Sequence, residues 1–209
     1  MKQGLFISVE GLDGSGKTSC IKAIRKYLED NNEQVVVLRE PGGTNIGEQI
    51  RHVVLNPKNT EMDDVAEMLL YASSRAQLFA EVIKPTLESG IIVICDRFID
   101  SSVAYQGYGR GLKIDDVYQV NLTAIQNRLP DVTFFIDIDP ETSLRRRFNE
   151  SETDRLENEK MQFHEKVYRG YLELCQQHGN RIKKIDGSGS LQDISDAMIE
   201  EIKKIVRGR

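Results

Sequence analysis

The chain has 209 residues, of which 39% are hydrophobic and 29% charged, and its formal net charge is −5. This length and composition predict one globular domain with a sizeable core. No apolar run approaches the length of a membrane span, so we expect no membrane partner. The acidic balance provides no overall field that would attract nucleic acid. Three widely separated cysteines form no disulfide pattern, which favours a cytoplasmic location.

Short apolar segments rich in β-branched residues alternate along the chain with helical patterns. The predicted strands are residues 5–10, 34–39, 91–95, 133–137 and 181–186. The predicted helices are residues 17–30, 45–55, 63–88, 115–128, 140–149, 154–177 and 191–206. This alternation is typical of an α/β fold in which helices flank both faces of a five-stranded parallel sheet. Most of the strands end in charged residues, at the sheet edge where such folds bind ligands.

The strongest motif follows the first predicted strand. Residues 11–18, Gly-Leu-Asp-Gly-Ser-Gly-Lys-Thr, match GxxxxGK[ST] in full and lead into a helix, which is the context of a phosphate-binding P-loop. The glycines let backbone N–H groups approach a phosphate, Lys17 would bring charge to the β- and γ-phosphates, and Thr18 would offer a hydroxyl to Mg²⁺. An accidental glycine-rich turn is the weaker alternative because both flanks fit. The predicted ATP-binding set is Gly11, Asp13, Gly14, Ser15, Gly16, Lys17 and Thr18.

Other segments indicate which class of P-loop protein this is. The chain has no Asn-Lys-x-Asp element of a GTPase, and the third strand ends in Asp96-Arg97-Phe98 instead of the Asp-Glu typical of motor ATPases. Asp96 would orient Mg²⁺ and its waters, and Arg97 would hold an acceptor phosphate through two N–H groups. By itself, an Asp-Arg pair after a strand is more often a structural ion pair. Opposite a P-loop, the pair favours phosphoryl transfer between two bound anions.

These segments together closely resemble the bacterial branch of the thymidylate kinase family. The matching segments are Arg-Glu-Pro-Gly-Gly-Thr at 39–44, Glu-Met-Leu-Leu-Tyr-Ala-Ser-Ser-Arg at 67–75, Asp-Arg-Phe at 96–98, Asp-Ser-Ser-Val-Ala-Tyr-Gln at 100–106, Gly-Arg-Gly at 109–111 and Asp-Arg-Leu-Glu at 154–157. The resemblance implies a three-layer P-loop NTPase fold in one nucleoside monophosphate kinase domain over residues 1–209, with a small arginine-rich lid at about residues 141–156. It also implies MgATP-dependent phosphorylation of dTMP to dTDP for dTTP synthesis, by a homodimer.

The resemblance assigns an acceptor site as well. Arg39, Arg51 and Arg97 would hold the 5′-phosphate of dTMP, because fork-shaped guanidinium groups bind phosphate oxygens in pairs. Tyr71 would stack on thymine and Arg75 would hydrogen-bond the base edge, since residues four apart share one helix face. Most of the family has Phe at the position of Tyr71. Without the resemblance, Tyr71 would be interpreted as a core residue and Arg51 as a solvated helix charge.

Five further residues complete the predicted acceptor site. The resemblance makes Ser101 and Gln106 the polar readers of the pyrimidine, and it implies that Tyr105 crowds the 2′ position of the sugar. It also puts Asp13 near the 3′-hydroxyl and the metal, although a loop residue of this kind is often simply exposed. Glu40 would orient the arginines that bind the acceptor phosphate.

The arginine-rich segment near residue 145 is the predicted lid. Because the P-loop contains no arginine, an arginine from elsewhere should stabilise the transferred charge. Arg147 and then Arg146 are the favoured candidates, and Arg155 belongs to the same segment. Three consecutive arginines are also typical of a solvated helix face. The predicted catalytic set is Lys17, Arg97, Arg147 and Arg146.

Two other functions stay open at this point. The first is a kinase for another nucleoside monophosphate, such as uridylate or cytidylate. The second is a nucleotide-dependent switch protein that binds ATP without a small acceptor. Three arginines directed at one phosphate favour a kinase whose acceptor is already phosphorylated, and the thymine-reading set argues against a switch.

Overall fold

The computed structural model describes residues 3–147 and 154–207. Five strands form one sheet: β1 (Phe6–Glu10), β2 (Val35–Arg39), β3 (Ile92–Asp96), β4 (Val132–Asp137) and β5 (Ile182–Asp186). The α-helices in the described part of the chain are α1 (Lys17–Asp30), α2 (Asn45–Val54), α3 (Asp64–Leu78), α4 (Lys84–Glu88), α5 (Ile99–Ser102), α6 (Ile114–Ala124), α7 (Pro140–Arg147), α8 (Met161–Gln177) and α9 (Leu191–Arg207). Two π-helical segments, Phe79–Ile83 and Val103–Gly109, continue α3 and α5 respectively.

The sheet is parallel throughout, and its strand order is β2-β3-β1-β4-β5. Arg39 pairs in register with Asp96, and Glu10 with Phe135, so the strands end together at one edge. The P-loop follows β1 at this edge, in the middle of the sheet. The chain forms β2 and β3 on one side of β1 and then crosses over to form β4 and β5 on the other side. This change of side opens a crevice beside the P-loop, where sheets of this kind usually bind ligands. The predicted five-stranded parallel sheet is confirmed.

Successive residues of β1 enter different cores because strand side chains alternate between faces. Leu5, Ile7 and Val9 pack with α1 and α9, whereas Phe6 packs with the helices on the opposite face. Both faces of the sheet are therefore covered, which explains why the strands read as near-continuous apolar runs. The predicted arrangement of helices on both faces is confirmed.

Three helix predictions need correction. The predicted helix 63–88 passes through a π-helical segment before α4, and Pro85 lies in the first turn of α4. The predicted helix 115–128 stops at Ala124, because Gln126 and Asn127 adopt positive φ. The predicted helix 154–177 begins only at Met161. In addition, the helical run from Ile99 to Gly109 was not predicted, since its serines and glycines indicate loops.

Within the described residues, none of the helices combines the length and apolar character that crossing a membrane requires.

Candidate active site

The P-loop has the backbone that its glycines predict. Gly14 and Gly16 adopt φ values of 84° and 93°, in the left-handed region that favours glycine, and α1 begins at the next residue, Lys17. A Cβ atom on Gly16 would lie 2.9 Å from Leu191 Cδ2, so the start of α9 packs closely against the loop. The unpaired amides of the first turn of α1 therefore face the loop, which is the arrangement that binds phosphate.

Lys17 lies against the loop that precedes it. Its Nζ atom donates to the carbonyl oxygens of Gly11 at 3.1 Å and Leu12 at 2.9 Å, and it is 3.8 Å from Asp13 Oδ1. Burial, together with the nearby Arg97 charge, lowers the pKa of Lys17. The predicted phosphate-binding ammonium group is thus held at the P-loop.

Asp13 and Arg97 form an ion pair that joins the P-loop to the end of β3. Arg97 Nη2 donates to Asp13 Oδ1 at 2.6 Å, and the guanidinium lies over the Tyr105 ring at 5.1 Å. Burial alone would raise the pKa of Asp13, but Arg97 and Lys17 outweigh it and hold that pKa well below its ordinary value. Tyr105 OH donates to the second carboxylate oxygen at 3.4 Å. Asp13 is therefore an ionised, paired residue and not a solvated loop residue.

Arg97 itself is a backbone outlier, with a φ of 69°. A non-glycine residue in this region costs free energy, and such residues are concentrated at functional sites. Its backbone N–H donates to the Val9 carbonyl oxygen at 3.0 Å, which fixes the turn beside β1. This turn directs the side chain toward the P-loop.

Glu10 and Tyr171 are site residues that the sequence analysis missed. Glu10 is fully buried at the end of β1, and its carboxylate accepts from Phe98 N at 2.7 Å, Ser101 Oγ at 2.5 Å and Tyr171 OH at 3.1 Å. Burial, together with the Asp100 charge, raises the pKa of Glu10 to about 7. The one signal in the sequence was an acidic residue at the end of an apolar strand.

Ser101 lies inside this network. Besides Glu10, its hydroxyl contacts Tyr171 OH at 2.8 Å, and Arg97 Nη1 donates to it at 3.3 Å. Arg97 Nη1 also donates to Tyr171 OH at 3.4 Å. The Glu10 carboxylate therefore supports the guanidinium of Arg97 indirectly, through two hydroxyl groups. The predicted role of Ser101 in reading the pyrimidine stays a prediction.

The other two arginines that are predicted to bind the acceptor phosphate converge on one backbone atom. Arg39 Nη1 and Arg51 Nη1 both donate to the Pro41 carbonyl oxygen, at 2.7 and 3.0 Å. Arg39 Nη2 also donates to both carboxylate oxygens of Glu48, at 3.0 and 2.8 Å. Burial, followed by the Arg39 charge, lowers the pKa of Arg51. Two positive charges thus lie side by side, which suits a dianionic ligand.

Arg75 is the most buried arginine of the site, with 1% of its surface exposed. Its Nε donates to Glu40 Oε2 at 2.7 Å, and its Nη2 donates to the Phe98 carbonyl oxygen at 3.0 Å. Its Nη1 donates to Ser102 Oγ at 2.8 Å and to Asn121 Oδ1. Its hydrogen bonds are thus directed into the protein beneath the base region. The prediction that Arg75 reads the base edge stays a prediction.

Glu40 does not contact the arginines that it was predicted to orient. It pairs with Arg75, because its side chain turns from the end of β2 toward α3 and away from Arg39. Burial raises the pKa of Glu40, although Arg75 opposes that rise. Among the described residues, Glu40 Oε1 has no hydrogen-bond partner. Glu40 therefore supports Arg75 in this structure.

Tyr71 is a core residue that also borders the cavity, and its predicted stacking on thymine stays a prediction. Its ring is 9% exposed and packs in a core cluster with Met68, yet it also lines the cavity described below. Gln106, nearby, donates from Nε2 to Glu67 Oε1 at 2.7 Å. Glu67 is fully buried and was not among the predicted site residues.

The predicted lid segment is hydrogen-bonded to the P-loop near its start. Ser143 Oγ, on α7, donates to the Asp13 carbonyl oxygen at 2.8 Å. Arg146 is exposed and lines the cavity. The side chain of Arg147 and residues 148–153 lie outside the described residues. Arg155 is buried, where it donates to the Val54 carbonyl oxygen at 3.1 Å and pairs with Glu67. Arg155 thus anchors the end of the predicted lid segment and is not directed at the P-loop.

Two oxygen ligands predicted for the metal lie close together. Thr18 Oγ1 donates to Asp96 Oδ2 at 3.5 Å, at the junction of the P-loop and β3. Hydroxyl and carboxylate oxygens are hard donors, and Mg²⁺ commonly binds through one or two of them while retaining waters and contacting phosphates. The donor set therefore fits Mg²⁺.

One cavity of about 620 Å³ connects these parts, within the usual range for small-molecule sites. One end is formed by the P-loop with Gly189 and Leu191, residues that the sequence analysis did not select. Predicted residues that line it are Asp13, Gly14, Gly16, Lys17, Thr18, Arg39, Glu40, Arg51, Tyr71, Arg75, Asp96, Arg97, Ser101, Tyr105, Gln106 and Arg146. Of the predicted ATP-binding set, Gly11 and the buried Ser15 lie behind the wall of the cavity.

Comparison with known proteins gives one consistent result. The family model described as "Thymidylate kinase" matches residues 9–198. A thymidylate kinase of Clostridium novyi is 48% identical over 209 residues, which is 99% of this chain and 100% of that protein. One of Thermoanaerobacter sp. is 50% identical over 202 residues, covering 97% and 98% of the two chains. The crystal structure of thymidylate kinase from Ehrlichia chaffeensis superposes with a TM-score of 0.80 at 32% identity, covering 96% of this chain and 99% of that one.

These matches extend over nearly the whole chain and far beyond the P-loop, and the structural match confirms the predicted three-layer P-loop NTPase fold. The chain belongs to the thymidylate kinase family.

Proposed function

We propose that this protein transfers the γ-phosphoryl group of ATP to dTMP, forming ADP and dTDP in dTTP synthesis. The observation that carries the proposal is one cavity with a P-loop at one end and Arg39, Arg51 and Arg97 along its wall. A switch protein needs no second cluster of cations opposite its nucleotide. Family membership gives the same activity, and no observation favours a different acceptor.

The reaction is direct, in-line displacement. An oxygen of the dTMP 5′-phosphate attacks the γ-phosphorus while the bond from that phosphorus to the bridging oxygen of ADP breaks. The protein supplies positioning and positive charge, and no covalent enzyme intermediate forms. Lys17 acts at the donor phosphates, and Arg97, held by Asp13 at 2.6 Å, acts between donor and acceptor. The dianionic acceptor is held by Arg39 and Arg51.

Mg²⁺ is the proposed cofactor, with Thr18 and Asp96 as its protein contacts. When bound, the ion would neutralise charge on the β- and γ-phosphates. The further proposed acceptor contacts are Asp13 near the 3′-hydroxyl, Tyr71 on the thymine ring, Tyr105 near the 2′ position, and Ser101, Arg75 and Gln106 around the polar edge of the base. Glu40 supports that edge through Arg75.

We treat residues 1–209 as a single kinase domain with a lid at about residues 141–156. Closure of a lid excludes water, which would otherwise hydrolyse ATP. Arg146 is a lid arginine that lines the cavity, and Arg147 follows it on α7. The hydrogen bond from Ser143 to the Asp13 carbonyl joins the lid to the P-loop, so a movement of α7 would reach the phosphates directly.

A homodimer is the proposed assembly. Ile46 and Val53 on α2, and Val65 and Leu69 on α3, are large apolar side chains that are each close to half exposed. The members of each pair share a helix face, and α2 packs beside α3, so the four side chains suit an interface with a second copy. Sedimentation should show a dimer for the wild type and a shift to monomer for Leu69→Glu, whereas an unchanged monomer for both would refute this assembly. The proposed location is the cytoplasm, where ATP and nucleotide precursors are available.

The test is an ADP-release assay with MgATP and a panel of monophosphates: dTMP, dUMP, UMP, dCMP and AMP. We expect a rate with dTMP far above the others. Arg97→Ala should lower kcat/KM by about 100-fold or more, as loss of one preorganised charge does, whereas Arg169→Ala, exposed on α8, should leave it unchanged. A higher rate with another monophosphate would refute the acceptor assignment. ADP release that no acceptor increases would favour the switch protein instead.

A further inference from the structure

Glu67 is a buried carboxylate that contacts the proposed base-reading residue. It lies on α3 with no exposed surface, and Gln106 Nε2 donates to its Oε1 atom at 2.7 Å. Its Oε2 atom accepts from Arg110 Nη2 at 3.0 Å and from Arg155. Three side chains from two chain segments, Gln106 and Arg110 from one and Arg155 from the other, thus hold this carboxylate in place.

The charge of Glu67 is secured by the two arginines. Burial alone would raise the pKa of Glu67, but the hydrogen bonds from Arg110 and Gln106 outweigh it and lower that pKa. An ionised carboxylate can only accept hydrogen bonds. Arg110 is itself held by Glu159 Oε1 at 2.6 Å and lies over the Phe163 ring at 4.7 Å, so the cluster is rigid.

Because the Glu67 carboxylate can only accept hydrogen bonds, it determines the orientation of the Gln106 side-chain amide. Only the NH₂ group can donate to Glu67, because the opposite orientation would direct the amide oxygen at a carboxylate. The amide oxygen, Oε1, must then point away from Glu67. Gln106 lines the cavity beside Tyr71 and Tyr105, and no hydrogen bond reaches its Oε1 from residues 3–147 or 154–207. The cavity therefore faces an acceptor whose orientation Glu67 imposes.

We propose that Glu67 is the positioning residue that sets base specificity: by fixing the Gln106 amide, it presents an acceptor that selects a pyrimidine carrying an N3–H donor. Thymine and uracil carry that donor, whereas N3 of cytosine is an acceptor and would meet the amide oxygen with no proton between them. A site built around a hydrogen bond rejects an analogue that cannot make it, because a buried polar group then stays unpaired. This inference rests on the proposed function, since it concerns the acceptor of the same reaction.

The decisive variant is Glu67→Gln, which keeps the size of the side chain but lets residue 67 either donate or accept. Gln106 can then turn over, and the ratio of kcat/KM for dTMP to that for dCMP should fall at least about tenfold, the usual effect of one hydrogen bond to a base. Glu159→Gln is the matched control. It also removes one negative charge beside Arg110 but does not contact Gln106, so the ratio should stay unchanged.

The exchange variant Glu67→Gln/Gln106→Glu separates orientation from folding effects. Here the carboxylate at position 106 accepts on both sides, so an acceptor faces the cavity again and the ratio should return to within about threefold of the wild type. A ratio that stays low in the exchange variant, or that does not change in Glu67→Gln, would overturn the proposal.

A measurement on the wild-type enzyme keeps the inference testable if these variants do not fold. Binding of dTMP and of N3-methyl-dTMP is compared by calorimetry, and the methylated ligand should bind at least about tenfold more weakly because it has no N3–H. Equal affinity would refute the acceptor at Gln106, and with it the role of Glu67. Failure of the proposed function itself looks different, since the wild type would then phosphorylate neither dTMP nor dCMP.

Discussion

Replacing Arg75 by methionine would test how strongly the buried polar network beneath the cavity supports the fold. Methionine has a similar length and can fill the space, but it donates no hydrogen bonds. Within residues 3–147 and 154–207, Glu40 would lose the one cation that pairs with it, and both of its carboxylate oxygens would be without partners in a nearly dry environment. Ser102, Asn121 and the Phe98 carbonyl would each lose a donor as well.

The expected cost is large because one member of a buried ion pair remains behind. Breaking such a pair typically destabilises a protein by about 3–5 kcal/mol. Arg75 and Glu40 are 1% and 6% exposed, so solvent screens their interaction little. Burial already raises the pKa of Glu40, and without the opposing charge of Arg75 that pKa would rise further, so protonation of Glu40 would limit the loss. We expect a decrease of about 3–4 kcal/mol in the free energy of unfolding.

Urea denaturation measures this directly. For a slope of about 2–3 kcal/mol per molar urea, the midpoint should fall by about 1–2 M. The control is Arg25→Met, which removes an arginine that pairs with Glu29 at 2.7 Å on the exposed face of α1. An exposed pair of this kind contributes less than about 1 kcal/mol, so its midpoint should hardly move.

A double-mutant cycle separates the charge from the other contacts. Glu40→Gln removes the charge that Arg75→Met leaves unpaired, so the double variant should be more stable than Arg75→Met alone. A loss below about 1 kcal/mol in Arg75→Met would refute the reasoning, because it would mean that the cavity already hydrates Glu40. Equal stability of the single and double variants would refute the role of the charge.

Three further predictions concern the P-loop edge. The pKa of Glu10 is raised to about 7 in the folded protein, so its protonation stabilises the fold at low pH and that contribution is lost as the pH rises through 7. Relative to Glu10→Gln, the free energy of unfolding of the wild type should therefore fall by about 2–3 kcal/mol between pH 5 and 8. Gly16→Ala should cost about 1–2 kcal/mol and weaken ATP binding measured by calorimetry, since φ is 93° and the Cβ would lie 2.9 Å from Leu191 Cδ2. Ser143→Ala should cost about 1 kcal/mol and lower kcat more than it raises KM, because it frees α7 from the Asp13 carbonyl.

Each of these predictions has an outcome that contradicts it. Parallel stability profiles of the wild type and Glu10→Gln from pH 5 to 8 would mean that Glu10 stays ionised throughout. Unchanged ATP affinity in Gly16→Ala would mean that the loop tolerates a side chain there. In Ser143→Ala, a wild-type kcat with a lower melting temperature would assign the serine to stability alone.

Local signals were sufficient for much of the site. The P-loop was predictable because its function requires particular residue types at particular positions. Gly14 and Gly16 permit a positive φ, Lys17 provides a cation, and Thr18 provides a hydroxyl. Arg97 was predicted from its position after a strand opposite the P-loop, whereas the prediction of Arg39 and Arg51 depended on family resemblance. The fold brings all three to the cavity wall. Glu67 and Tyr171 carried no local signal, since an acid and an aromatic on helices are usually a surface charge and a core residue.

Helix ends were the weakest part of the local prediction. The segment before Met161 has helical composition, but Asp154 accepts hydrogen bonds from the N–H groups of Leu156 and Glu157, and Arg155 is buried against Glu67. These contacts hold the segment in turns instead of a helix. Conversely, the serines and glycines after Phe98 indicate a loop, although packing of Val103–Gly109 against α8 stabilises a π-helix there.

The sequence by itself determined the sheet, the P-loop and the class of ligand, because periodicity, backbone freedom and charge are properties of neighbouring residues. Tertiary structure alone decided which charged groups become buried and with whom. Glu40 pairs with Arg75 and not with Arg39, Arg155 pairs with the buried Glu67, and the pKa of the Glu10 carboxyl is raised. The physical reason is desolvation: the ionic state and orientation of a polar group depend on all the chain segments that enclose it, and those segments are far apart in the sequence.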